Sequence, residues 1–225
     1  MDFCFSQDLG RLGDFHGQVL TETKMQVRSR TEHARTFGGD SQTDVLYPKI
    51  TVRWLNRRQC TYPEIAEEAR IRLSDPRIYG NVMHLVDATG VGVATIDYMR
   101  KEGLTPLGIT ITGGSNIGHG DMGITVPKIE LINALQLALQ GDMLEFSQGL
   151  DQECQKHLLH EFQNFKEKKT SKGNKTYEAW RESDHDDLIL ALAINVWWVL
   201  KEHGIRAIPK KQASNSGDYD PLLNM

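Results

Sequence analysis

The feature that most constrains the fold is an apolar run near the C-terminal end of the chain, residues 188–200, in which Asn195 is the one strongly polar residue. An α-helix that is apolar on every side must be buried on every side. The run is shorter than the roughly 20 residues that a membrane-spanning helix requires. We therefore expect a helix that lies against a sheet in the centre of a globular domain.

Apolar segments bounded by glycine and proline signals predict the elements that precede this helix. The first predicted strand begins at Phe3 and ends at Asp8. Four more predicted strands cover residues 18–27, 50–55, 82–86 and 107–111. Predicted helices begin near Tyr62 and after Gly92, and two more cover residues 129–139 and 158–165. Strands first, alternation in the middle and helices last indicate an α/β fold with a mixed sheet flanked by helices.

The length of 225 residues suits one hydrophobic core. We expect a single domain over residues 1–207 and a polar tail over residues 208–225, with a glycine-rich loop at residues 112–123. The three cysteines are well separated, so we expect neither a disulfide framework nor a zinc motif. The sequence shows no signal peptide, so we expect a cytoplasmic protein that does not contact a membrane. A net charge of −4 means that any contact with nucleic acid depends on local basic patches.

Two aspartates share the same position relative to a predicted strand. Asp8 and Asp87 each follow an apolar strand and precede a glycine turn. If the two strands are neighbours, the carboxylates converge at one edge of the sheet. A single aspartate at such a place is more often a turn former whose carboxylate accepts backbone N–H groups. Neither residue alone therefore identifies a site.

A third acidic element, Asp184-His185-Asp186-Asp187, stands at the start of the apolar helix. Acidic residues there favour the positive end of the helix dipole by about 0.3–1 kcal/mol each, and Ser183 or Asp184 could cap the helix. Three aspartates nevertheless exceed what capping requires.

Clustered carboxylates repel one another unless cations bind between them, and oxygen ligands suit Mg²⁺ or Mn²⁺. Two such ions, about 3.5–4 Å apart, can drive the hydrolysis of a phosphodiester bond. Adjacent helix residues point about 100° apart, so we expect Asp186 rather than Asp187 to be the direct ligand.

Several short motifs, taken in order, resemble the nuclease domain of viral, bacteriophage-type DNA-packaging terminase large subunits, which have an RNase H-like fold. They are Asp8-Leu9-Gly10 with Asp14, Val86-Asp87-Ala88-Thr89-Gly90-Val91-Gly92, Val126-Pro127-Lys128 and His185-Asp186-Asp187-Leu188. The resemblance implies that double-stranded DNA is cut with little sequence specificity by two Mg²⁺ or Mn²⁺ ions. It implies catalytic metal ligands at Asp8, Asp87 and Asp186, supported by Asp14 and Asp187.

The resemblance also implies partners from a packaging machine in the cytoplasm of a host cell: the terminase ATPase domain, the small terminase subunit and the portal. The sequence has no GxxxxGK[ST] phosphate loop, so the ATP-driven motor is not part of it. The expected function is that of the cutting module.

Basic residues suggest where DNA would lie. A lysine patch surrounds the loop-forming residues 171–174 and consists of Lys166, Lys168, Lys169, Lys172 and Lys175. It could bind phosphates or could be a solvated surface loop. Lys128, in the first turn of a helix, opposes the helix dipole, and we expect it to contact DNA phosphate. Arg53, Arg57 and Arg58 either form a wall of the DNA groove or lie on exposed strand faces.

Two alternatives remain open at the level of the sequence. A Holliday-junction resolvase or a transposase-like nuclease of the RNase H fold would carry the same acids. A non-catalytic module that binds DNA or a packaging partner would share the fold without cutting.

Overall fold

The computed structural model describes residues 1–10, 14–32, 41–90, 92–169, 175–179 and 186–208. Most of the predicted tail, Lys172 and the Asp184-His185 part of the acidic motif lie outside these residues. No helix in the described ranges has the length and apolar character needed to span a membrane.

The described elements follow one another as the sequence predicts for an α/β fold. The strands are β1 (Phe3–Leu9), β2 (Phe15–Glu32), β3 (Ser41–Gln59), β4 (Val82–Asp87), β5 (Leu107–Thr112), β6 (Gly118–Gly120), β7 (Gly123–Pro127), β8 (Leu144–Phe146), β9 (Phe165–Lys169), β10 (Lys175–Ala179) and β11 (Arg206–Ile208). The helices are α1 (Tyr62–Leu73), α2 (Gly92–Lys101), α3 (Lys128–Gln140), α4 (Gln152–Asn164) and α5 (Asp187–His203).

Nine of the described strands form one mixed sheet, in the order β11-β3-β2-β1-β4-β5-β7-β6, with β8 also paired to β3. Strands β1, β2 and β3 are antiparallel neighbours, whereas β1, β4, β5 and β7 run parallel. The β9–β10 hairpin forms a separate two-stranded sheet. Strands β1 and β4 therefore lie side by side in the middle of the large sheet.

Helix α5 covers one face of this sheet, as the apolar run predicts. Its residues pack in one core with Cys4 of β1, Leu85 of β4 and the helices α3 and α4. A second core on the opposite face contains Phe5, Val86 and the helices α1 and α2. Because neighbouring residues of a strand point to opposite faces, β1 and β4 each contribute to both cores.

Asn195, the polar interruption of the apolar run, fixes α5 to the sheet. Its Oδ1 accepts a hydrogen bond from Thr21 Oγ1 at 2.6 Å, and its Nδ2 donates to the Cys4 carbonyl oxygen at 2.9 Å. Since a buried amide is costly unless its hydrogen bonds are made, these contacts select one position of the helix on β1 and β2.

A β-bulge in the β2–β3 pair changes which residues of β3 face α5. Thr21 pairs with Val52, but Leu20 pairs with Trp54, so Arg53 is an extra residue. Val52 and Leu55 consequently both belong to the core beneath α5. The same shift turns Arg57 toward α5.

Three sequence predictions differ from the structure. The glycine-rich segment expected to be a loop contains β6, which pairs antiparallel with β7. Helix α4 begins well before residue 158, because Asp151 Oδ1 caps its first turn by accepting from Cys154 N at 2.8 Å. Phe165, expected at the end of that helix, begins β9, so Lys166, Lys168 and Lys169 lie on β9 and Lys175 lies on the antiparallel strand β10.

Candidate functional site

Asp8 and Asp87 lie side by side where β1 and β4 end. Gln7 pairs with Val86 in the parallel register, so the next residue of each strand is one of these aspartates. Both residues are buried, with 8% and 7% of their surface exposed, and their side chains are hydrogen-bonded to each other. The convergence that the sequence predicts for neighbouring strands is therefore present.

The turn after Asp87 fixes its carboxylate. Asp87 Oδ1 accepts a hydrogen bond from Thr89 N at 2.7 Å, and Thr89 Oγ1 accepts from Ile111 N of β5 at 2.9 Å. A Cβ atom on Gly92 would overlap the Asp87 carbonyl oxygen, so the helix that follows can start this close only with glycine. Asp87 thus forms the turn with one carboxylate oxygen and faces Asp8 as well.

The two aspartates at the start of α5 point in different directions, as helical geometry predicts. Asp186 is the N-cap residue, and its Oδ2 accepts from Lys128 Nζ at 3.0 Å. Asp187 Oδ2 accepts from Arg57 Nε at 3.2 Å. Since Lys128 follows β7 and Arg57 belongs to β3, the two carboxylates turn toward opposite sides of the Asp8–Asp87 pair.

Burial and neighbouring charges raise the pKa of the two strand-end aspartates. Burial raises the pKa of Asp8 well above its usual range, and the charges of Asp87, Asp187 and Asp186 raise it further. Burial also raises the pKa of Asp87, although hydrogen bonds from Thr89 oppose this. The contact between the two side chains raises the pKa of Asp8 further.

Among the described residues, no group of three or more Asp, Glu, His or Cys side chains is close enough together to hold a metal ion without moving. Lys128 and Arg57 already pair with Asp186 and Asp187. The donor chemistry nevertheless fits a hard divalent cation, because Asp8, Asp87 and Asp186 offer only carboxylate oxygens. A cation between Asp8 and Asp87 would offset the repulsion between their carboxylates.

Among the described residues, Lys128 is the one other predicted site residue that lies at this cluster. Asp14 is exposed, and its charge acts on His16. Its supporting role stays a prediction. Lys172 and the side chains of the other patch lysines lie outside the described part of the chain, so only their place on or beside β9 and β10 is known. Lys128, expected to contact phosphate, lies beside Asp186.

Two residues of the site were missed or misplaced by sequence reasoning. Arg57, expected in a groove wall or on an exposed face, is buried beneath α5, with 7% of its side chain exposed. Glu161 of α4 is 5% exposed, and burial raises its pKa to about 8. Its Oε2 accepts from Ile189 N of α5 at 2.8 Å. Glu161 shares the buried face of α4 with Cys154 and Leu158. An acidic residue at a position where the helical spacing predicts an apolar one is the sequence feature that could have identified it.

Comparison with known proteins identifies relatives of the fold. No protein-family model and no curated protein matches the sequence. The large terminase nuclease of the thermophilic phage G20c with bound magnesium matches at 18% identity and a TM-score of 0.55, covering 86% of this chain and 79% of that chain. Its cobalt-bound structure matches at 19% identity and a TM-score of 0.53, with the same coverage.

The human cytomegalovirus terminase nuclease domain, soaked with Mn, matches at 10% identity and a TM-score of 0.46, covering 91% of this chain and 87% of that chain. The phage structures confirm the predicted RNase H-like α/β class and, at the level of the fold, the resemblance drawn from the motifs. The chain has the fold of a large-terminase nuclease domain.

Proposed function

We propose that this protein is a metal-dependent endonuclease that cuts double-stranded DNA with little sequence specificity, as the cutting module of a genome-packaging terminase. One observation carries the proposal: a buried pair of aspartates, Asp8 and Asp87, lies at the ends of adjacent parallel strands beside the acidic start of α5. A fold shared with the phage G20c nuclease, whose structures hold magnesium or cobalt, supports it.

Asp8, Asp87 and Asp186 would hold two Mg²⁺ or Mn²⁺ ions. Two such ions in a carboxylate site activate a water molecule and stabilise the leaving oxygen of a phosphodiester bond. The chain itself supplies the rigidity: Asp8 and Asp87 are fixed by strand pairing and by the Thr89 turn, and Asp186 by its place at the start of α5. Asp187, held by Arg57, has a supporting role.

Cations next to the acids would hold the DNA. Lys128 places an ammonium group at the mouth of the site, beside Asp186, where it can move to a phosphate oxygen. The β9–β10 hairpin, which carries Lys166, Lys168, Lys169 and Lys175, connects α4 to the segment that leads into Asp186. Phosphate contacts from such lysines give affinity without sequence recognition.

In a packaging machine, this module would act with the terminase ATPase domain, the small terminase subunit and the portal in the host cytoplasm. A junction resolvase with the same acids would differ in preferring four-way DNA junctions over linear duplex. Comparing cleavage of the two substrates separates these activities.

Plasmid cleavage tests the proposal. With Mn²⁺ the wild-type protein should nick and then linearise supercoiled plasmid, and Asp87→Ala should abolish both products. Asp97→Ala is the matched control, because Asp97 is an exposed residue of α2. Equal cutting by Asp87→Ala, or cutting that persists in EDTA, would exclude the assigned site.

A further inference from the structure

The start of α5 has an unusual capping arrangement. The first N–H groups of a helix lack partners within the helix, and an N-cap aspartate normally accepts from the N–H of the second or third helical residue. Asp186 occupies the N-cap position but makes no capping hydrogen bond with its side chain. Its carboxylate is turned instead to Lys128.

Glu161 of α4 binds the donor that Asp186 would otherwise cap. Counting from Asp187, the third residue of α5 is Ile189. The Ile189 N–H donates to Glu161 Oε2 at 2.8 Å, across 28 positions of sequence. The cap is therefore supplied by another helix, and the Asp186 carboxylate is not used for capping.

Arg57 holds the same corner from the sheet. Its Nε lies 3.2 Å from Asp187 Oδ2 and 3.6 Å from Glu161 Oε1. Its guanidinium carbon lies 3.8 Å from the centre of the Phe15 ring, which restricts its orientation. Arg57 donates a hydrogen bond to Asp187 and makes a longer ion-pair contact with Glu161, so it places a buried positive charge between the two acids.

Gly17 allows α5 to rest directly on the sheet at this point. Gly17 pairs with Asp8 on one side and with Arg57 on the other, so the three residues form a row across β1, β2 and β3. A Cβ atom on Gly17 would overlap the carbonyl oxygen of Asp187. The backbone of α5 thus begins against the strand next to Asp8.

We propose that Glu161 and Arg57 are positioning residues, which cap and anchor the start of α5 from outside that helix so that Asp186 faces Asp8 and Asp87 instead of capping its own helix. The inference rests on the proposed function for the role of Asp186. The capping arrangement itself can be tested without metal or DNA.

The first experiment uses the metal-free protein. Hydrogen exchange at the Ile189 amide should become faster in Glu161→Asp, because the shortened side chain no longer reaches this N–H. In Glu161→Gln, whose amide oxygen keeps the acceptor, and in Asp186→Asn, exchange should stay as in the wild type. Faster exchange in Asp186→Asn with no change in Glu161→Asp would overturn the proposal, because Asp186 would then be the cap.

The second experiment measures Mn²⁺ binding by calorimetry, together with kcat and KM for plasmid. Glu161→Asp and Glu161→Leu should weaken Mn²⁺ binding about 10-fold or more and lower kcat at nearly constant KM, since residues that orient metal ligands have effects of about this size. Glu161→Gln should restore both values. Glu153→Leu, an exposed position on α4, is the matched control.

Arg57→Lys, which keeps the charge but loses the planar Nε contact, should weaken Mn²⁺ binding less than Arg57→Met does. Normal Mn²⁺ affinity in folded Glu161→Asp, or equal loss in Glu161→Gln and Glu161→Leu, would overturn the positioning role. If the wild type itself binds no Mn²⁺ and cuts no DNA, the proposed function fails, and the exchange of Ile189 still decides whether Glu161 is the cap.

Discussion

The buried pair of Asp8 and Asp87 is an unfavourable arrangement in the metal-free protein. A carboxylate taken out of water loses hydration, and Asp186 and Asp187 add repulsion. The pKa of both aspartates is therefore raised above its usual value. The buried acids therefore lower the free energy of unfolding, and substitutions that remove their charge should raise it.

Asp8→Asn should stabilise the metal-free protein and abolish its response to Mn²⁺. The asparagine amide can donate a hydrogen bond to Asp87 and carries no charge for burial and the neighbouring carboxylates to destabilise. A gain of about 1 kcal/mol corresponds to a rise in Tm of about 2–4 °C for a chain of this size. Thermal unfolding with and without Mn²⁺ measures both effects, with Asp97→Asn as the control. A lower Tm, or an undiminished Mn²⁺-dependent increase, would contradict this reading of the pair.

His84 is a buried titratable residue on the face of the sheet opposite α5. Its Nε2 lies 2.8 Å from Gln7 Oε1, its ring stacks on Phe5, and burial lowers its pKa to about 3. The unfolded chain, with a histidine pKa of about 6.5, takes up a proton below that pH while the folded protein does not. His84 therefore contributes stability above about pH 6.5 that is lost as the pH falls toward its folded pKa.

His84→Gln should flatten the acid limb of the stability profile. Between about pH 6.5 and 4, the free energy of unfolding of the wild type should fall more steeply than that of the variant, by up to about 1.4 kcal/mol per pH unit. Urea unfolding at several pH values measures the two slopes. Parallel curves would show that His84 is protonated in the folded protein.

At the scale of elements, the contact between α5 and β2 aligns the site. The helix must approach β2 closely enough for Asp186 and Asp187 to reach the ends of β1 and β4. Gly17 permits that approach, and Asn195 fixes the helix further along β1 and β2. A small displacement of α5 would therefore act on every acid of the site together.

Gly17→Ala should move the start of α5 and weaken the site. Overpacking of this kind costs about 1–3 kcal/mol of stability, and we expect a parallel loss of Mn²⁺ affinity. Gly113→Ala is the matched control, because a Cβ atom there meets nothing within 4 Å. Urea unfolding and calorimetry measure the two quantities. Equal effects of the two substitutions would mean that the close contact at Gly17 does not position the helix.

Local patterns in the sequence were enough to predict the main strands, the buried helix and the convergence of Asp8 with Asp87, because each depends on local periodicity or on strand ends. The burial of Arg57 could not be predicted, since it depends on a bulge at Arg53 that reverses which side chains face α5. Strand β6 was missed because its glycines resemble a loop and its pairing with β7 is a tertiary contact. The role of Glu161 requires knowing that α4 packs against the start of α5.

For the whole molecule, charge must be unevenly distributed if DNA is the substrate. The chain carries a net charge of −4, yet the hairpin segment around residues 166–175 is rich in lysine. Neutralising a phosphate releases counterions, which makes the affinity depend on salt. The lysine patch should therefore dominate the salt dependence of DNA binding.

Replacing Lys166, Lys168 and Lys169 with Gln should make that dependence shallower. Each lost phosphate contact should reduce the slope of log K against log salt by about 0.9. Fluorescence anisotropy in an Asp87→Ala background measures binding without cleavage. The control replaces Arg70, Arg100 and Lys101 with Gln. These residues belong to α1 and α2, which lie on the face of the sheet opposite α5. An equal change of slope in the control would show that the patch has no special role.

We propose that the carboxylates of Asp8, Asp87 and Asp186 form a divalent-metal centre. Anomalous diffraction from crystals soaked in Mn²⁺ locates the ions without relying on activity. We expect two peaks, about 3.5–4 Å apart, between these three side chains, with Lys128 displaced from Asp186. Full Mn²⁺ soaking that leaves this position without a peak, or peaks found only elsewhere on the protein, would contradict it.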